Sequence, residues 1–264
     1  MRSNSARMPP FLQLLSEDRR WQIVTALAAS DRRAQELSTL LRQPANLVSY
    51  HLKQLKQARL VRQRRSAADH RALYYSLNLP QVQALYAQAG QALHPALGDS
   101  QPPQPQADDQ PTRPGRPLAR VLFLCTHNSA RSQMAEAILR HLSRGEVEAF
   151  SAGNEPTQLH PLAVLAMAQR GIDIRGQRPK HLSQYLGRHF DYIITVCDLA
   201  REACPVFPGD PQQIHWSFPD PAAVEGAQAR QRAFENVAAE LTTRINFLLV
   251  LIRRRHSESD SKKA

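Results

Sequence analysis

Residues 125–132 read CTHNSARS, directly after the apolar run VLFL (121–124) and directly before the helical pattern SQMAEAILRHL (132–142). A cysteine at the mouth of a strand, with an arginine six positions later at the start of a helix, is a pattern with a chemistry. A strand–loop–helix turn aims backbone N–H groups of the loop and the helix N-terminus at one point, which suits an oxyanion. The same field favours a thiolate, so Cys125 is expected to ionise well below the ~8.5 of a free thiol. Arg131 adds a planar fork for two oxygens of a tetrahedral anion. Nucleophile and anion would share one cradle, built from Thr126, His127, Asn128, Ser129, Ala130, Arg131 and Ser132. Two more thiols follow in ITVCDLAREACP: Cys197 at a strand end and Cys204 seven residues on, across a short polar segment.

The elements that must position these residues occupy only part of the chain. Its 264 residues, 42% of them apolar, suffice for two ordinary domains with real cores. Three cysteines argue against the disulfide framework of a small secreted protein. No apolar stretch is long enough to span a bilayer, and MRSNSARMPP lacks the features of a signal peptide, so a cytoplasmic protein is expected, away from membranes. The net charge of +11 is unevenly spread: residues 1–98 hold 14 Lys and Arg against 5 Asp and Glu, whereas residues 120–252 hold 13 of each. A polyanion partner is therefore expected for the first hundred residues alone. Residues 100–117 hold six prolines and almost nothing apolar, which forbids ladders and helices and marks a linker. The expected division is a first domain over 1–98, a linker over 99–119, a second domain over 120–252 and a disordered polar tail over 253–264.

In the first domain, a helix over 11–29 carries an apolar stripe of Leu12, Leu15, Trp21, Val24 and Leu27. AQELSTLL, a turn at Arg42–Pro44 and ANLVSYHLKQLKQA follow as helix, turn and helix. On the last of these, Val48, Leu52 and Leu55 share one face, leaving Asn46, Ser49, Tyr50, Lys53 and Gln54 on another. LVRQRR and RALYYSLN form a basic hairpin, and a helix over 79–97 closes the domain. That order is an α+β winged helix-turn-helix, whose second helix enters the major groove of double-stranded DNA. VSYHLKQLKQARLVRQRR followed by ALYYSLN resembles the ArsR family of winged-helix repressors. The resemblance implies that Asn46, Ser49, Tyr50 and Lys53 reach bases or phosphates, and that Arg62, Arg64, Arg65 and Arg71 neutralise backbone charge. It also implies a homodimer through the flanking helices, matching a two-fold operator. Many relatives bind arsenite through a thiolate pair where this chain has Arg33 and Gln35, so sensing by that route is excluded.

In the second domain, VEAFSAG (147–153), YIITVC (192–197) and QIHWSF (213–218) read as strands. HPLAVLAMAQRG and QRAFENVAAELTTRINFLLVLI read as helices, the latter with Phe234, Val237, Leu241, Ile245 and Leu248 inward. The alternation implies an α/β fold with a mainly parallel sheet. With CTHNSARSQMAEA in that setting, the domain resembles the low-molecular-weight phosphatase fold and the arsenate reductases that share it. The resemblance implies that Ser132 donates to the Cys125 thiolate, that Asn128 holds the loop's shape and that Asp220, in WSFPDPA, is the general acid. It leaves His127 where glycine is often seen, and strain is expected there if that position needs positive φ. Cys197 and Cys204, 72 and then 7 residues on, look like the resolving thiols of the thioredoxin-coupled reductases. The likeness thus implies an arsenate reductase that passes a disulfide from Cys125–Cys197 to Cys197–Cys204, with no bound cofactor and reduced thioredoxin as electron donor. Some members hold potassium beside Asn128, Glu136 and Ser151; Lys180 stands where an aspartate completes that site, so no metal is expected. Two alternatives stay open: a phosphotyrosine phosphatase, though Ala222 stands where those enzymes usually carry tyrosine, and a redox- or oxyanion-responsive regulator.

Overall fold

The computed structural model describes residues 8–94 and 117–261, which form two compact units. Residues 95–116, and with them nearly all of the expected linker, lie outside the described residues, as do the last three of the tail.

The N-terminal unit runs α1 (Pro10–Leu15), α2 (Asp18–Ala29), β1 (Arg32–Arg33), α3 (Ala34–Leu41), α4 (Ala45–Gln57), β2 (Val61–Arg65), β3 (Leu73–Leu77) and α5 (Leu79–Leu93). The single helix expected over 11–29 is two. The Glu17 carboxylate accepts the Arg20 N–H at 3.1 Å and so starts α2 afresh, turning the apolar stripe. Trp21 consequently leaves the core and is half exposed, while Ile23, Val24 and Leu27 face inward. Between α3 and α4 the chain reverses at Arg42, whose left-handed φ of 51° ends α3, and Pro44 opens α4. Val48, Leu52 and Leu55 bury the inner face of α4 against Leu37 and Leu60. β3 pairs antiparallel with both β2 and β1, in the order β1-β3-β2, with Arg64 opposite Tyr74 and Arg32 opposite Tyr75. The result is a winged helix-turn-helix.

The C-terminal unit runs β4 (Ala119–Cys125), α6 (Arg131–Leu142), β5 (Val147–Gly153), α7 (Pro161–Ala168), β6 (Tyr192–Thr195), α8 (Asp198–Glu202), β7 (Gln212–His215) and α9 (Ala227–Ser261). The sheet is parallel in the order β5-β4-β6-β7. β4 is central and covered on both faces, which is why VLFL is apolar without alternation. α9 packs against α6 and α7 through Phe234, Val237, Leu241, Ile245 and Leu248, all buried. The tail expected to be disordered from 253 instead continues α9 to Ser261. Arg253 pairs with Glu146 at 2.9 Å, and Arg255 donates to Gln212 Oε1 at 2.6 Å, so the basic run has partners on the domain. Among the described residues no helix is long and apolar enough to cross a membrane.

Candidate active site

At the C-terminal end of β4 the chain passes through residues 126–130 into α6, and Cys125 is the last residue of the strand. A second segment straps this loop from outside: the N–H groups of Glu155, Thr157 and His160 donate to the carbonyls of Thr126 (2.9 Å), His127 (3.0 Å) and Ser129 (2.9 Å). In a trans peptide the carbonyl of one residue and the N–H of the next point opposite ways. The amides of His127, Asn128 and Ala130 are thereby turned inward, and Asn128 N–H does donate to Cys125 Sγ at 3.1 Å. Gly153 makes the strap possible, because a Cβ there would stand 2.4 Å from Thr126 O and 2.8 Å from Asn128 N.

The loop's one left-handed residue is Asn128, at φ 46°, not His127. The strain considered for His127 is absent; its exposed ring stands 3.9 Å from Glu155. Asparagine tolerates the left-handed region and its amide is fully used. Asn128 Oδ1 accepts from Lys180 N (2.7 Å) and Gln133 Nε2 (3.3 Å), while its Nδ2 donates to Ser132 Oγ (2.8 Å) and Ser151 Oγ (2.9 Å). Ser151 in turn donates to Glu136 Oε2 at 2.5 Å. With one lone pair of Ser132 Oγ engaged by Asn128, its hydroxyl proton can point at Cys125 Sγ, 2.8 Å away. The buried Glu136 carboxylate is matched by Arg140 at 2.6 Å and by the Lys180 ammonium at 3.1 Å, so a side-chain cation stands where the resemblance puts potassium in some members.

Arg131 is buried, held by Phe218 O at 3.1 Å and by Asp220 Oδ1 at 3.6 Å. Asp220 is part-exposed at the head of a one-turn 3-10 helix, Pro221–Ala223. Cys197 lies at the N-terminus of α8, where Sγ accepts the Ala200 N–H at 3.4 Å and stands 3.4 Å from Thr126 Oγ1. Cys204 follows the same helix and is half-buried, 3.7 Å from Pro205 O. Cys125, Arg131, Ser132, Asp220 and Cys197 thus share one neighbourhood, with Cys204 beyond α8.

At Cys125, burial works against the ionisation expected from sequence. Burial pushes its thiol above the ordinary range, and Cys197 beside it pushes the same way. Arg131 and Ser132 pull it down without prevailing. Burial likewise raises Cys204. His160, which the sequence reading did not single out, caps α7 through Nδ1, which accepts the Leu162 N–H at 3.1 Å. Burial and Arg230 depress its imidazole, which fits a neutral ring stacked 4.5 Å from Phe234.

In the N-terminal unit, Asn46, Ser49, Tyr50 and Lys53 are exposed on the outer face of α4, and Arg62, Arg65 and Arg71 are exposed on and beside the hairpin. Arg64 is part-exposed and donates to Arg65 O at 2.6 Å.

Fold and site together define a winged helix-turn-helix joined to an α/β domain whose strand–loop–helix turn holds a buried cysteine and a buried arginine. Residues 120–258 match the family described as low molecular weight phosphotyrosine protein phosphatase, and residues 17–63 match bacterial regulatory protein, arsR family. The chain belongs to the low molecular weight phosphotyrosine protein phosphatase family, with an arsR-type helix-turn-helix ahead of that domain. The arsenate reductase of Shouchella clausii is 41% identical over 126 residues, 47% of this chain and 91% of the relative. That of Bacillus subtilis is 37% identical over the same shares. Among solved structures, a Corynebacterium glutamicum thioredoxin-dependent arsenate reductase is 32% identical over 50% of this chain and 63% of its own, with a TM-score of 0.37.

Proposed function

We propose that the C-terminal unit reduces arsenate to arsenite by a three-thiol relay, and that the N-terminal unit is an ArsR-type reader of double-stranded DNA. The observation that carries the first part is a second thiol, Cys197, lodged against the wall of the cradle that holds the first. A phosphatase has no use for it. Arsenate reductases 41% and 37% identical over nearly their whole length support the same reading.

Arsenate enters as a dianion, met by Arg131 and the inward amides. Cys125 attacks arsenic, and its thiol proton leaves with an arsenate hydroxyl as water, with Asp220 as the acid beside the departing oxygen. Cys197 then attacks the Cys125 sulfur. The S–S bond forms, the S–As bond breaks, its electron pair stays on arsenic, and arsenite departs with the Cys197 proton. Cys204 next attacks Cys197, returning Cys125 as a thiol and leaving a Cys197–Cys204 disulfide. A dithiol reductant of the thioredoxin class closes the cycle. Half-buried Cys204, flanked by exposed Leu199 and Val206, is a suitable contact for it. In this reading the N-terminal unit pairs with a second copy through its flanking helices, within residues 11–29 and 79–97, and presents two copies of α4 to a two-fold site.

The test is thiol mass spectrometry of fully reduced protein after one equivalent of arsenate. A Cys197–Cys204 bridge with release of arsenite is the expected result. Unchanged thiols, together with phosphate-ester turnover that survives Cys197→Ser, would instead make the domain a phosphatase.

A further inference from the structure

Asp198 is the first residue of α8, immediately after Cys197, and it is buried. Its Oδ1 accepts from Ser217 Oγ at 2.7 Å and lies 3.2 Å from His215 Nε2. His215, buried in β7, sets Nδ1 2.8 Å from Thr195 Oγ1 at the end of β6, two residues before Cys197. Backbone bonds tie the same region: Trp216 N–H to Thr195 O (2.9 Å) and Val196 N–H to Leu124 O (2.8 Å). Burying a carboxylate is costly, and an apolar residue would pack there without that cost. None of the three relay steps uses this carboxylate or this imidazole as a reactant. What they share is a place, since they join the first turn of the helix between the two outer thiols to the segment that leads to Phe218 and Asp220.

We propose that Asp198, held by His215 and Ser217, is the positioning residue for Cys197; this rests on the relay reading above. The second step needs the Cys197 sulfur in line with the S–As bond on Cys125, an alignment sensitive to small displacements. The clasp fixes the turn of α8 from which that sulfur projects, keeping it beside Thr126. It must also yield. Five of the residues between the two thiols, Asp198–Glu202, are helical; a fully helical path of seven residues would span about 10 Å, against roughly 6 Å between the Cα atoms of a disulfide. On this proposal Cys204 reaches Cys197 as α8 loosens, so the clasp assists the second step and opposes the third.

Cys204→Ser protein isolates the second step, because arsenate can carry it only to the Cys125–Cys197 bridge. Adding Asp198→Ala should slow formation of that bridge by about tenfold, as expected for losing a charge-assisted hydrogen-bond pair. Inorganic phosphate affinity, measured by calorimetry, should change less than about twofold, because the cradle does not need the clasp. Asp198→Asn, which keeps an acceptor for Ser217 and His215, should recover most of the rate. Ser217→Ala, which spares the charge, should cost about threefold. Unchanged bridge formation in Asp198→Ala overturns the proposal. So does a parallel loss of phosphate affinity, which would make Asp198 a general support of the fold. If the Cys204→Ser parent forms no bridge with arsenate, the relay reading fails first and is seen to fail separately.

Discussion

A buried thiol that acts as a nucleophile feels burial and its polar neighbours pulling its proton affinity in opposite directions. Cys125 is in that position: burial and the neighbouring Cys197 hold it up while Arg131 and Ser132 pull it down. In the proposed reaction an arsenate oxygen would accept the thiol proton, which would leave in water. The direction of the shift has a measurable sign. In substrate-free Cys204→Ser protein, alkylation of Cys125 by iodoacetamide should rise with pH through a midpoint above that of a free thiol, since only the thiolate reacts. Cys197→Ser removes a raising influence and should lower that midpoint. Ser132→Ala removes the 2.8 Å hydroxyl from the sulfur and should raise it. A midpoint below the free-thiol value in the parent would show that the loop amides outweigh burial. The spacing of Cys125 and Arg131 was legible in the sequence because it is local. The balance of burial against helix field was not, since it depends on how deeply the strand end is covered.

At the scale of elements, the loop keeps its shape because a second segment takes up its outward carbonyls, and Gly153 sets how closely that segment approaches. Gly153→Ala should fold with a loss of about 1–3 kcal/mol, the usual range for an extra methylene in a filled space. It should also weaken phosphate binding, because Thr126 and Asn128 are the atoms displaced. Urea denaturation and calorimetry check the two parts, and a fully stable variant with full affinity would show that the strap is not needed. β5 was readable as VEAFSAG because its bounds are set by alternating burial and a closing glycine. The close approach at Gly153 was not, since it lies between segments distant in sequence. The break between α1 and α2 is not legible in the sequence because Ser16 and Glu17 fit the helical period and act only as caps. β1 is too short to show any period, and the helical end of α9 depends on partners for Arg253 and Arg255 far away in the chain.

For the molecule as a whole, charge is unevenly divided: the basic excess lies in residues 1–98, and residues 120–252 are balanced. On a duplex selected by the protein from a random pool, the logarithm of affinity should fall linearly with that of salt. Arg62→Ala should flatten the slope by about 0.9 per bound protomer. Joining such a reader to a reductase in one chain matters for regulation only if the two sites are coupled. The three cysteines all lie in the C-terminal domain, so coupling through a thiol would have to originate there. Coupling is reciprocal: if phosphate or arsenate in the cradle changes duplex affinity by some factor, the duplex must change oxyanion affinity by the same factor. Fluorescence anisotropy with the selected duplex, on reduced, disulfide-bridged and phosphate-saturated protein, should show affinities differing by about fivefold or more, the lower end of typical coupling. Phosphate calorimetry with and without the duplex should return the same factor. Equal affinities in all three states would mean that the chain tethers two independent activities, with DNA binding serving only to hold the reductase at its site.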